Sequence, residues 1–116
     1  GIHFYGPYSS ELDAATYSLG ADDIIHFDYS GYSHRMSVND NYTVESCLNE
    51  TQEQRVMNVI KKYKDKSPSE LELLTTTHYV QKNILENDQA SIIRGVQKIK
   101  GTKYSEDEIK VAISEL

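Results

Sequence analysis

The sequence predicts an α+β fold, a winged-helix-like β-α-β-β unit followed by a four-helix carboxyl-terminal extension, and three observations predict it. An aromatic extended run, His3-Phe4-Tyr5, breaks at Gly6-Pro7 and restarts as a helix. Two apolar runs, Ile24 to Tyr29 and Tyr32 to Val38, flank a Ser30-Gly31 turn and read as a β-hairpin, the wing. From Thr51 onward apolar residues recur at helical spacing between capping signals.

Taken in order, Gly6 supplies backbone angles closed to other residues and Pro7 fixes the turn. Ser9 or Ser10 then caps a helix over Ser10 to Leu19, with Glu11 and Asp13 in its first turn. Leu12, Ala15 or Thr16, and Leu19 share a face, and Gly20 is the expected carboxyl-terminal cap. A winged-helix layout would pair the hairpin with the opening strand. Residues 41–50 form a polar linker within a single domain spanning 1–116.

The helical part begins with Thr51 to Lys64, whose stripe is Val56, Val59, Ile60 and Tyr63. Ser67-Pro68-Ser69-Glu70 is a capping box with proline at the first helical position, opening a helix to about Lys82 with Leu71, Leu74 and His78 on its apolar face. His78 is expected as a core or interface histidine. Asp88 caps a helix carrying Ile92, Ile93, Val96 and Ile99 and ending at Gly101, and Ser105 with Glu108 is a second capping box opening Ile109, Ala112, Ile113 and Leu116.

Length and composition fit one domain that buries a core without staples. The sequence starts with Gly inside a strand, so an amino-terminal segment is expected to precede it. Cys47 is the only cysteine, which points to a reducing, cytoplasmic setting; the sequons at Asn41 and Asn49 read as chance. No apolar run is long enough for a membrane span. Residues 1–50 hold one base, Arg35, against eight acids, whereas residues 51–116 hold eleven bases against ten acids. That acidic first half disfavours a polyanionic partner, because nucleic-acid affinity depends on Lys and Arg neutralising phosphates. The run Lys61-Lys62-Tyr63-Lys64-Asp65-Lys66 is the only basic candidate patch, and it reads as a solvated helix end that complements the backbone dipole.

No residue pattern names a reaction. The four histidines lack metal-ligand spacing, and the Gly-x-Gly-x-x-Gly, P-loop and Gly-x-Ser-x-Gly signatures are missing. No catalytic residue, metal or cofactor is therefore expected. The chain has nine tyrosines and no tryptophan, with six of the tyrosines in the first 42 residues. Tyrosine joins a large ring of low rotamer entropy to a hydroxyl that bonds at a wet rim, which suits protein interfaces. Tyr29, Tyr32 and Arg35 on the wing are the candidate partner-binding residues.

Three segments, together with the Tyr-rich hairpin in which Tyr29 and Tyr32 through Met36-Ser37 occupy comparable places, carry a family resemblance. Phe4-Tyr5-Gly6-Pro7-Tyr8-Ser9-Ser10-Glu11-Leu12, Leu71-Glu72-Leu73-Leu74-Thr75-Thr76-Thr77-His78-Tyr79-Val80 and Lys103-Tyr104-Ser105-Glu106-Asp107-Glu108-Ile109 resemble segments of the YwgA-like proteins, which belong with the Panacea or SocA-like domains. The resemblance covers most of residues 3–116. Two departures accompany it: the helix pair that precedes the Tyr-Gly-Pro strand in that family is missing, and Tyr17 to Ile25 departs from its helix-to-strand junction. The resemblance implies protein-binding roles, antitoxin or proteolytic adaptor, and no catalytic residues. The main alternative is a winged-helix DNA-binding regulator; a third is a structural domain for homo-oligomerisation, which an exposed Ile109-Ile113-Leu116 face would favour.

Overall fold

The computed structural model describes the chain apart from residues 1, 4, 5, 30, 32, 33, 42, 44 and 46. It is a mixed α+β protein with a β-α-β-β portion followed by four helices. The elements are β1 (Ile2–His3), β2 (Gly6–Pro7), α1 (Ser10–Ala21), β3 (Ile25–Asp28), β4 (Arg35–Val38), α2 (Glu50–Tyr63), α3 (Pro68–Asn83), α4 (Gln89–Lys100) and α5 (Glu106–Glu115). They group into two compact units, one from Gly1–Tyr8 with Gln54–Leu116 and the other from Ser9–Glu53.

The strands differ in one respect from the winged-helix layout. Ile2 pairs with Pro7 and His3 with Gly6, so the opening strand folds back on itself, and β3–β4 is a separate two-stranded sheet. Gly6 has φ of +118° and packs its α-carbon toward Thr75, Thr76 and Glu72, so β2 lies on α3.

In the first unit α3, α4 and α5 pack on one another around Leu73, Leu74, Val80, Ile92, Ile93, Val96, Tyr104, Ile109 and Ala112. Both capping boxes form as the sequence predicts. Glu70 N–H donates to Ser67 Oγ at 3.2 Å and Glu108 N–H to Ser105 Oγ at 3.1 Å, each with the reciprocal bond to the glutamate. Gly101 ends α4 at φ of +60°. Gly95 brings α4 against α3 so closely that a Cβ there would stand 2.5 Å from Val80 Cγ1.

Two side chains occupy places the periodicity did not assign. His78 is exposed, because α3 is covered by β2, α4 and α5 and buries Leu73, Leu74, Thr76, Thr77 and Val80 instead. Thr77 enters the core by donating its hydroxyl to the Leu73 carbonyl at 2.7 Å, which makes it effectively apolar. Lys100 is the second: its side chain is 1% exposed, and its Nζ lies 2.6 Å from Glu72 Oε1. Lys103 Nζ reaches the same carboxylate at 2.9 and 3.0 Å. Burial raises the Glu72 pKa, but the hydrogen bonds and charges of Lys100 and Lys103 outweigh it and hold the carboxyl below its ordinary value. Tyr104, beside them, donates its hydroxyl to the Ser69 carbonyl at 3.0 Å. Gly6 and Pro7 from the first family-like segment and Lys103 and Tyr104 from the third thus pack on α3, which carries the second.

The second unit is built differently. Leu12 N–H donates to Ser9 Oγ at 3.2 Å, so Ser9 is the cap of α1, and the helix runs past Gly20 to end at Asp22, with Asp23 taking the left-handed turn at φ of +57°. Among its described residues none is buried. Backbone amides of α1, β3 and β4 are therefore expected to exchange with solvent deuterium well before those of α3, α4 and α5; equal protection would mean that the unit has a stability its side chains do not account for.

Candidate protein-interaction surface

The hairpin register decides how the second unit presents its side chains. Ile25 faces Val38, His26 faces Ser37, Phe27 faces Met36 and Asp28 faces Arg35. Since side chains alternate along a strand, Ile25, Phe27, Met36 and Val38 share one sheet face and His26, Asp28, Arg35 and Ser37 the other. One face is apolar and one polar.

α1 covers the apolar face from the β3 side. Phe27 lies over Gly20, where a Cβ would stand 2.5 Å from its Cε2, and its ring centroid is 6.2 Å from that of Tyr17. Gly20 is thus the seat of an aromatic ring and not the predicted cap. Tyr29 stacks on Phe27 at 5.9 Å and meets His34 edge-on at 4.6 Å, yet stays 58% exposed. Of the three residues singled out in the sequence, Tyr29 continues the apolar face, Arg35 stands opposite Asp28 on the polar one, and Tyr32 lies outside the described residues. Met36 and Val38 were not singled out; the alternation in Arg35-Met36-Ser37-Val38 was the available signal.

The surface is unusual for its uncovered apolar residues. Leu12, Tyr17, Leu19, Tyr29, Met36 and Val38 are all exposed within this unit. Met36 and Val38 share the hairpin face that Tyr29 continues, and adjoining exposed apolar residues of this kind mark candidate interaction sites. No family model, curated protein or solved structure matches this chain. The functional reading therefore rests on its own geometry and charge. Residues 9–53 hold nine acids and a single base, Arg35, a net charge of −8.

The first unit has its own exposed features. Val56, Met57, Val59 and Ile60 on α2 are exposed, and an open groove of about 390 Å³ is lined chiefly by Val59, Tyr63, Leu71, Leu74, His78 and Leu116. Of the terminal-helix face Ile109-Ile113-Leu116, Ile109 is buried in the core, Ile113 is half-buried and Leu116 is exposed. Lys61, Lys62 and Lys64 are exposed at and just beyond the end of α2, with Lys62 Nζ 5.4 Å from the Tyr63 ring. Lys66 is tied to Glu115 at 2.9 Å, and that hydrogen bond raises its pKa. Cys47 is an exposed free thiol. Among the described residues no cluster of three or more His, Cys, Asp or Glu could hold a metal ion, and no helix is long and apolar enough to cross a membrane.

Proposed function

We propose that the chain is a non-enzymatic protein-interaction module, an antitoxin or adaptor of the Panacea or YwgA-like kind it resembles, acting in the cytoplasm. The observation that carries this reading is the second unit: no described residue in it is buried, while six large hydrophobic side chains are exposed on α1 and the hairpin. A two-stranded hairpin with one helix is marginal by itself, because it cannot remove enough apolar surface from water to offset its ordering entropy. A protein partner completes that burial. Tyr29 suits the role of an anchor, with its ring oriented by Phe27 and His34 and its outer side free to pack.

The test is capture of partners by the tagged full chain after nuclease treatment, followed by measurement of affinity for the purified partner. Tyr29→Ala is expected to weaken the complex by about tenfold or more, equivalent to roughly 1.4 kcal/mol, while the melting temperature of the free chain is unchanged. Affinity for duplex DNA that falls steeply with salt and vanishes when Lys61, Lys62 and Lys64 are changed to Gln would replace this reading with that of a DNA-binding regulator.

A further inference from the structure

We infer that the uncovered half of the hairpin's apolar face, Met36 and Val38 on β4, is the seat of a cationic amphipathic segment of a partner protein. This rests on the interaction-module reading and names the place and the chemistry of the contact.

The first argument is asymmetry of cover. Ile25, Phe27, Met36 and Val38 form one face, but α1 shields only the β3 half: Ile25 and Phe27 are half-buried, whereas Met36 is 62% and Val38 54% exposed. A sheet face that is apolar on both strands and covered on one presents a ledge with a ready-made wall, α1, along one side. Among the described residues β4 pairs with no second strand. The reverse face carries His26, Asp28, Arg35 and Ser37 and offers no comparable apolar ground.

Charge settles the kind of occupant. Asn39 donates its backbone N–H to the Ile24 carbonyl at 2.9 Å and its side-chain amide to the Asp23 carbonyl at 3.0 Å. That bonding brings the Asp22-Asp23 turn next to Asn39 and Asp40, at the end of the ledge where Val38 pairs with Ile25. A segment lying on Met36 and Val38 thus ends among three carboxylates. With one base in the whole unit, an acidic segment is repelled, and so is a second copy of the same unit, which would set a charge of −8 against −8. A segment with apolar residues on one side and Lys or Arg on the other satisfies both the ledge and its acidic rim.

The experiment is selection of a displayed library of random peptides against the full chain, with affinities of the enriched peptides measured on variants. The expected result is enrichment of sequences that combine basic and apolar residues, bound about tenfold more weakly or worse by Met36→Ser and by Met36→Lys, and also weakened by the triple change Asp22→Asn, Asp23→Asn and Asp40→Asn, but not by Val59→Lys on α2. Because Met36 is exposed, its variants should keep the wild-type circular dichroism spectrum and melt. Enriched peptides that are acidic or neutral, or binding insensitive to Met36 and lost in Val59→Lys, would overturn the inference and leave the interaction-module reading standing. A chain that self-associates through Met36 in sedimentation velocity would overturn it in favour of a homotypic contact. If no peptide is enriched and no protein partner is captured, both readings fall.

Discussion

Replacing Glu72 by Ala is expected to lower the unfolding free energy by about 3–5 kcal/mol, because it removes the carboxylate from a lysine that is almost wholly buried. Lys100 Nζ sits 2.6 Å from Glu72, and Lys103 reaches the same carboxylate. The double change Glu72→Leu with Lys100→Met is expected to recover much of the loss, since well-packed apolar residues avoid the desolvation that a charge pair requires. Urea unfolding of the three proteins measures both effects; a Glu72→Ala protein as stable as wild type would show that Lys100 is held by other groups. The pH dependence has a definite sign. The folded Glu72 pKa lies below its ordinary value of 4.5, so its contribution is fully present above that value and is lost as pH falls through the lower folded value. The gap between wild type and Glu72→Ala should therefore narrow in acid below the ordinary value and stay constant at neutral pH.

Ile109→Ala is expected to cost about 2–5 kcal/mol, the range for truncating a fully enclosed aliphatic side chain. Ile109 is 1% exposed and is shared by the contacts of α5 with α3 and α4. Met36→Ala, by contrast, should change stability by no more than about 0.5 kcal/mol, as an exposed side chain away from special backbone geometry. The contrast separates framework from the proposed binding surface. If Met36→Ala proved as damaging as Ile109→Ala, the hairpin face would be part of a core, and the docking argument would fail.

Where signals were local, the sequence was legible. The serine-glutamate boxes at Ser67 and Ser105, Pro68 at the first position of α3 and Gly101 after α4 are each determined by residues within a few positions of one another, and all are in place; the hairpin also forms, but its strands are Ile25–Asp28 and Arg35–Val38 with Asp28 opposite Arg35, shorter than the sequence suggested. Contacts between distant elements were not legible. Periodicity identified an apolar stripe on α2 and on α1, but it carries no information on whether anything arrives to cover it, and nearly all of both stripes is exposed. Lys100 was not singled out, because its partner Glu72 is on another helix. His78 was placed on the apolar face as a core or interface histidine; the side of α3 that its neighbours enclose is instead that of Leu73, Leu74, Thr76, Thr77 and Val80, which leaves His78 exposed. For the candidate site, tyrosine content drew attention to the wing, and the strand register then moved the emphasis to Met36 and Val38.

The first unit is discontinuous in sequence: its opening strands come from Gly1–Tyr8 and the remainder from Gln54–Leu116. The second unit is therefore an insert, anchored at both ends in the same body. The entropy of closing a loop grows only logarithmically with its length, by about 0.6 kcal/mol for each doubling. Gly6 can keep its place on α3 at nearly the same entropic cost when the intervening residues are lengthened or shortened. Such an arrangement lets the inserted unit be rewritten, in nature or by design, while the helical framework keeps its stability.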